Sequence, residues 1–87
     1  MNNDITILKK RLIYRSQYRG TKEMDKLIGS FVESHIDKLN INELNELEIF
    51  LNVDDDTLYK FYNNQILETI IPESMISKLF KNYVYKK

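Results

Sequence analysis

The feature that most constrains the fold is a run of apolar residues that follows a glycine at position 20. From residue 24 onward the apolar side chains recur every three or four positions, at Met24, Leu27, Ile28, Phe31 and Val32. This spacing places them on one face of an α-helix. Gly20 precedes the run and permits a sharp change of direction, because glycine has no Cβ. The pattern therefore predicts a helix that ends near residue 20, a corner at the glycine, and a second, amphipathic helix.

The start of this second helix, predicted over Thr21–Leu39, follows from the residues around the glycine. If Gly20 is the N-cap, Glu23 occupies the third helical position, where its carboxylate can accept a hydrogen bond from the N–H of the cap. Glu23 and Asp25 also place negative charge in the first turn, which the helix dipole favours. In that case the fold should tolerate asparagine or serine at position 20, since both are good N-caps.

The rest of the chain predicts an all-α fold, a small single-domain bundle of about five helices that spans residues 1–87. A chain of 87 residues has room for only one core, and its 43% hydrophobic content is sufficient to build one. Because the sequence contains no cysteine, disulfide bonds and thiolate metal sites are excluded. No apolar run approaches the length that crosses a bilayer, so we predict no insertion into a membrane.

Capping residues predict where the other helices begin. Asp4 is predicted to cap the first helix, which should end near Gln17–Arg19. Asn40 and Glu43 have the spacing of a capping box and open a third helix. The acidic run Asp54–Asp56 supplies a cap and first-turn negative charge for a fourth helix.

The C-terminal part predicts a fifth helix, with Pro72 in its first turn. The segment Ile66–Ile71 is compatible with either extended chain or continued helix. Periodicity identifies the side chains of the last three helices that should face the core. These are Leu44, Leu47, Phe50, Leu51, Leu58, Phe61, Tyr62, Met75, Ile76, Leu79, Phe80 and Tyr83.

Residues that could suggest a metal or catalytic site are assigned structural roles. Gly29, inside the second helix, predicts the close approach of a neighbouring helix. A lone histidine, His35, is poor evidence for a metal site or a triad. The run Asp54–Asp56 lacks the alternating ligands and central glycine of a calcium loop. Since no acid, base and nucleophile converge and no phosphate-binding glycine loop is present, we predict that the protein is not an enzyme.

Charge is unevenly distributed along the chain, although the net charge is zero. Residues 1–22 carry six Lys/Arg and one Asp, residues 23–68 three Lys and eleven Asp/Glu, and residues 69–87 four Lys and one Glu. This predicts a basic patch beside an acidic one, suited to steering a polar partner. The alternative function is a small helical regulator that binds nucleic acid through the first helix, where Lys9, Lys10 and Arg11 are otherwise expected to face solvent. Zero net charge argues against it, since nucleic-acid binders carry a positive excess.

Physical patterns alone stop at a helical binding module, but the corner carries a family resemblance. Arg19-Gly20-x-x-Glu23, followed by Met24-Asp25, resembles the RGxxE signature of the succinate dehydrogenase assembly factors of the SdhE type. The likeness extends from about residue 11 to residue 61. It includes Arg11-Leu12-x-Tyr14-Arg15, Leu47-Glu48-x-Phe50-Leu51 and Asp54-x-Asp56-x-Leu58-Tyr59-x-Phe61.

The resemblance implies a small helical assembly factor, or chaperone, for a flavoprotein. Its partner would be the flavoprotein subunit of succinate dehydrogenase or of fumarate reductase, whose covalent attachment of FAD it would promote. Because the sequence lacks a phosphate-cradling loop and a deep site, we expect that the chain itself binds no cofactor stably. We also expect it to act as a monomer. Because the basic N-terminal segment leads straight into the signature without the serine content of a transit peptide, we expect a cytoplasmic, bacterial protein.

The signature residues offer a recognition surface. Gly20 lets another protein's backbone approach closely, the guanidinium of Arg19 offers a planar fork of donors, and Glu23 offers an acceptor. The alternative for Arg19 and Glu23 is an ion pair with each other, worth less than about 1 kcal/mol on a protein surface.

The resemblance assigns the remaining candidate contact residues to three groups. The polar rim consists of Arg15, Lys22 and Asp25. Aromatic and soft apolar contacts come from Tyr14, Tyr18 and Met24, residue types that are enriched at interfaces. A second patch comprises Asp56, Tyr59 and Phe61. The chain departs from the family pattern at Tyr18 and Phe61, where tryptophan is common, and at Val53, where proline is frequent.

Overall fold

The computed structural model of the protein describes residues 2–63, 65, 71 and 74–84. Five α-helices account for most of these residues, and no strand occurs among them. The helices are α1 (Asn2–Gln17), α2 (Lys22–His35), α3 (Ile41–Leu51), α4 (Asp55–Tyr62) and α5 (Met75–Lys81), with a short 3-10 turn (Ile36–Lys38) between α2 and α3. The all-α prediction is confirmed.

Gly29 sets the packing of α1 against α2. A Cβ built on this buried glycine would lie 3.2 Å from the Cγ of Gln17 and 3.6 Å from the carbonyl oxygen of Ser16. The first distance is tighter than ordinary van der Waals contact, so a side chain here would require the Gln17 side chain to shift by a few tenths of an ångström. The close approach that the sequence predicted at Gly29 is confirmed.

The core is centred on aromatic rings contributed by α2, α3 and α5. Phe31, only 1% exposed, has its ring centroid 5.2 Å from that of Phe80 and 6.4 Å from that of Phe50. Tyr83 adds an edge-on contact with Phe31 at 5.4 Å. Burying each phenylalanine contributes roughly 1.5–3 kcal/mol, so this cluster fixes α5 on the rest of the bundle.

The predicted inward residues of α3 and α4 are mostly confirmed. Those that lie in the core are Leu44, Leu47, Phe50, Leu51, Leu58 and Phe61, with Tyr62 half-buried against them. In α5, Ile76 and Phe80 are buried and Leu79 packs on the core, as does Tyr83 just after the helix. The prediction that Met75 faces the core is wrong, because this residue begins α5 on the solvent side and its side chain is 49% exposed.

The predicted helix boundaries agree with the structure where a single local motif forms the cap. The Asn40–Glu43 capping box and the Asp54 cap are both present, and α1 ends at Gln17. Asp4 lies inside the first turn of α1 rather than at its cap. The last helix is capped by Ser74, in a capping box with Ser77. Pro72, itself outside the described residues, therefore precedes α5 instead of occupying its first turn.

Two further expectations meet the structure only in part. The second helix stops at His35, and the chain continues as a 3-10 turn to Lys38. Within the segment predicted as extended or helical, residues 66–70 lie outside the described residues, while Ile71 is buried. None of the described helices is both long and apolar enough to cross a lipid bilayer.

Candidate protein-docking site

At the corner between α1 and α2, the second helix begins one residue later than the sequence predicted. Thr21, not Gly20, is the N-cap of α2, and its hydroxyl oxygen accepts a hydrogen bond from the N–H of Met24 at 3.2 Å. Glu23 is consequently the second helical residue and does not close a capping box. Threonine is itself a good N-cap. Because Thr21 has this role, Gly20 can adopt a backbone conformation that an N-cap residue does not have.

Gly20 adopts a φ of +149°, which side-chain-bearing residues rarely occupy. A Cβ built there would lie 3.3 Å from Oδ2 of Asp55. The condition under which asparagine or serine would be tolerated at this position, Gly20 serving as the N-cap, is therefore not met. The residue itself remains exposed to solvent.

Arg19 points into the protein. Its side chain is 9% exposed, and its three nitrogens each donate to an oxygen at the start of α4 or the end of α3. The Nε donates to Oδ1 of Asp55 at 2.7 Å, while the two Nη groups donate to the carbonyl oxygens of Leu51 and Val53, each at 2.6 Å. The alternative ion pair with Glu23 is not formed. The fork of donors that the sequence assigned to a partner is thus used inside the bundle.

The other polar signature residues divide between inside and outside. Asp25 is half-buried, and its Oδ1 accepts a hydrogen bond from the backbone N–H of Arg19. Lys22 and Glu23 are exposed, and neither forms a hydrogen bond or ion pair within the described part of the chain. Among the predicted polar contact residues, Lys22 and Glu23 are therefore available to bind a partner.

An aromatic pair continues the exposed surface along α1. Tyr14 and Tyr18 are 63% and 68% exposed, and their ring centroids are 4.5 Å apart. Arg15, beside them, is engaged with α3: its guanidinium lies 3.7 Å from Oε2 of Glu48 and donates to the side-chain oxygen of Asn52. We call Tyr14, Tyr18, Gly20, Lys22 and Glu23 the corner surface.

Two predicted contact residues lie in the core instead. Met24 is 5% and Phe61 is 4% exposed, so a partner that binds the folded surface does not reach them. Both had the apolar periodicity of core residues as well, and that interpretation is the one the structure supports. We therefore leave both out of the proposed contact.

The second predicted patch on α4 keeps Asp56 and Tyr59. Asp56 pairs with Lys60 one turn later at 3.1 Å, and its side chain is 73% exposed. Tyr59 is 47% exposed. Asp55, between the cap and Asp56, was not singled out by the sequence, yet it is the residue of α4 that contacts Arg19. No local motif could have revealed it, because the two residues are 36 positions apart.

Asp54 stabilises the start of α4 as a charged cap. The hydroxyl of Thr57 donates to its Oδ1 at 2.7 Å and the backbone N–H of Thr57 donates to its Oδ2 at 3.1 Å. These two hydrogen bonds, the hydroxyl first, lower the pKa of the Asp54 carboxyl below its usual value. The first turn of α4, which carries Asp55, is thereby stabilised.

No cluster of metal-ligating side chains accompanies this surface in the described residues. An open cleft of about 250 Å³ lies between α1 and α2. Typical small-molecule sites occupy roughly 300–1,000 Å³ and are concave. The cleft is lined by Gln17, Asp25, Lys26, Gly29, Ser30 and Glu33. The expectation that FAD is not bound stably stays a prediction.

Comparison with known proteins identifies the family. A family model described as the flavinator of succinate dehydrogenase matches residues 10–83. The chain belongs to the succinate dehydrogenase flavinator family. This confirms the family resemblance carried by the RGxxE signature. We found no solved structure that matches the chain.

Relatives of this flavinator-family chain include bacterial and mitochondrial proteins. It is 38% identical over 56 residues to the FAD assembly factor SdhE of Acetobacter pasteurianus, covering 64% of this chain and 51% of the relative. It is 33% identical over 85 residues to the mitochondrial succinate dehydrogenase assembly factor 2 of Dictyostelium discoideum, covering 93% and 57%. The corresponding protein of Saccharomyces cerevisiae (strain YJM789) is 32% identical over 81 residues, covering 92% and 50%. The chain thus spans about half the length of these relatives.

Proposed function

We propose that this protein binds the FAD-loaded flavoprotein subunit of succinate dehydrogenase or fumarate reductase and promotes covalent attachment of the flavin. The observation that carries the proposal is the family match over residues 10–83, which includes an RGxxE signature with Gly20 and Glu23 exposed at a corner. The names of the relatives, a FAD assembly factor and succinate dehydrogenase assembly factors, support the same function.

The corner surface has the chemistry of a protein interface. Two tyrosines in contact supply large apolar area with a polar tip, and Gly20 presents backbone without a side chain. Glu23 supplies an acceptor and Lys22 a donor at its edge, both without a partner in the described part of the chain. Such a surface suits contact with another folded protein, whose side chains would pair with these two charges.

The flavin supplies the chemistry of attachment, and the bond would form between it and a histidine of the partner. This chain contributes no reacting group. Its role is to hold the partner in the geometry that brings histidine and flavin together, since fixing two groups in a reactive arrangement lowers the entropic part of the barrier. We further propose that it acts as a monomer in the bacterial cytoplasm.

The proposal is tested by measuring covalent flavin on the partner. Purified flavoprotein subunit, free FAD and the wild-type protein are incubated together, and covalent flavin is read as in-gel fluorescence of the denatured subunit. Wild-type protein should raise the rate of attachment, and Glu23→Gln should lower that rate about tenfold, which corresponds to about 1.4 kcal/mol of lost interaction.

Glu33→Gln is the matched control for this experiment. It makes the same change on the same helix at another exposed position, and an amide oxygen can still accept the hydrogen bond from Gln17. We expect it to act like wild type. If wild-type protein does not raise covalent flavin, the proposed function is wrong. If both variants act like wild type, the function stands and the contact is placed on the wrong surface.

A further inference from the structure

The guanidinium of Arg19 joins two corners of the fold that are far apart in sequence. Its Nη groups donate to the carbonyl oxygens of Leu51 and Val53 at 2.6 Å. Carbonyls at a helix C-terminus lack intrahelical partners, so Arg19 caps α3 from outside. The Nε donates to Asp55 in the first turn of α4 at 2.7 Å. One side chain thus ties the α1–α2 corner to the α3–α4 corner.

The backbone of Arg19 is also held by a hydrogen bond to a carboxylate. The N–H of Arg19 donates to the carboxylate of Asp25, in the first turn of α2. Arg19 is therefore fixed by carboxylates on two helices, Asp25 through its backbone and Asp55 through its guanidinium. Three of the five N–H donors of the guanidinium are used in these contacts, and the side chain is 9% exposed. A partner carboxylate that displaced Asp55 or the two carbonyl oxygens would leave these partly buried acceptors unpaired.

The missing side chain at position 20 belongs to the same arrangement. The direction in which a Cβ would extend from Gly20 leads to Oδ2 of Asp55, at 3.3 Å. The Asp55 side chain is 24% exposed and lies between Gly20 and the guanidinium that it binds. Glycine at this position therefore gives the Asp55 carboxylate the space in which it reaches Arg19.

We propose that Asp55 is a positioning residue of the docking site, and that with Arg19 it fixes where Gly20 and Glu23 stand. This inference rests on the proposed function. In this arrangement Arg19 makes no contact with the flavoprotein but holds the corner in shape. Gly20 and Glu23 make the contact. Asp55 lies outside the signature and belongs to the site only through this pair.

The test measures docking separately from folding. Covalent flavin is followed on purified flavoprotein subunit at a temperature at which circular dichroism shows each variant fully helical. The concentration of the protein that gives half the maximal rate is determined for wild type, Asp55→Asn and Asp55→Ala. A merely structural role moves the Tm but leaves this concentration unchanged in a folded protein.

We expect a graded result. Asp55→Asn keeps an oxygen that can accept from Nε but loses the charge, and should raise the half-saturating concentration about threefold; Asp55→Ala should raise it about tenfold or more. The matched control is Asp37→Asn, the same change at a 91% exposed side chain outside the predicted contact residues, whose carboxylate pairs only with Lys9 among the described residues. It should stay within about twofold of wild type, since exposed pairs contribute little.

The outcomes separate this proposal from the proposed function. If wild-type protein promotes attachment and both Asp55 variants match Asp37→Asn, the positioning role is wrong while the function stands. If wild type itself fails to promote attachment, the function fails first. Should Asp55→Ala not fold, the comparison of Asp55→Asn with Asp37→Asn decides: a shift of about threefold supports the role, and equality overturns it.

Discussion

At the scale of single residues, burial decides what an arginine contributes. Arg19 and Arg11 both pair with a carboxylate across helices, at 2.7 and 2.8 Å, but their side chains are 9% and 55% exposed. An exposed pair is worth about 0–1 kcal/mol because water and salt screen it. A buried arginine that satisfies a carboxylate and two carbonyls is worth more, since its removal leaves these acceptors unpaired.

The first prediction compares the two arginines directly. Arg19→Met should lower the free energy of unfolding by about 2–3 kcal/mol, because charged hydrogen bonds to buried groups are lost. Arg11→Met, the control, should lower it by less than about 1 kcal/mol. Urea denaturation of both variants, followed by circular dichroism, provides the measurement. Equal losses would show that the Arg19 contacts contribute no more than a surface pair.

A second residue-scale prediction concerns Gly20. Gly20→Ala should destabilise the protein by about 1–3 kcal/mol, because a φ of +149° is strained for any residue with a Cβ. The new Cβ would also press on Asp55. The part due to Asp55 is measured by repeating the substitution in an Asp55→Ala background, where it should cost less; the backbone strain stays the same in both. Strict additivity of the two substitutions would rule out the contact between them.

At the scale of helices, the sequence predicted those features that local spacing determines. The apolar faces of α2, α3 and α4 and the caps at Asn40 and Asp54 depend on residues three or four positions apart. The pair of Arg19 with Asp55 depends on the folded arrangement of four helices, and no local pattern encodes it. The starts of α2 and α5 were missed for a different reason. Thr21 and Ser74 are good caps, but the prediction relied on the nearby Gly20 and Pro72 instead.

The element-scale prediction is a pH dependence of α4. The folded protein lowers the pKa of Asp54 through Thr57. A group with a lowered pKa stabilises the fold above its unfolded value, 3.8 here, and loses that contribution as the pH falls through the folded value. The Tm advantage of wild type over Asp54→Asn should therefore be present at about pH 6 and decline as the pH falls below 3.8.

Thr57→Val supplies the control for this pH dependence. It removes the hydroxyl that is the largest cause of the lowered pKa but preserves the shape of the side chain and the backbone N–H. In this background the difference in Tm between Asp and Asn at position 54 should be smaller at about pH 6 than it is with Thr57 present. A pH dependence that persists unchanged in Thr57→Val would show that another group titrates.

At the scale of the whole molecule, the charge segregation of the chain is largely neutralised by folding. Four of the six cations in residues 1–22 lie within 4 Å of a carboxylate from the acidic middle segment. The pairs are Lys9–Asp37 at 3.9 Å, Arg11–Glu48 at 2.8 Å, Arg15–Glu48 at 3.7 Å and Arg19–Asp55 at 2.7 Å. The basic patch that the sequence suggested is therefore smaller in the folded protein than in the chain.

This neutralisation bears on nucleic-acid binding, the alternative function. A protein that binds nucleic acid must offer cations to phosphates, and each such contact releases counterions and makes the affinity fall steeply with salt. Here Arg11 and Arg15 would have to give up Glu48 first. We therefore expect no binding of a labelled single- or double-stranded oligonucleotide by wild-type protein at about 0.15 M salt, where ordinary non-specific Kd values are about 1–100 μM.

Glu48→Gln makes this last prediction sharper. The substitution removes the carboxylate that faces Arg11 and Arg15 without changing the cations themselves, and so gives the first helix its best opportunity to bind phosphates. Fluorescence anisotropy at about 0.05 and 0.2 M salt should show at most weak binding by the variant, lost at the higher salt. Wild-type binding near 1 μM with a strong salt dependence would instead favour the nucleic-acid function, since it would mean that the paired cations exchange their carboxylates for phosphates readily.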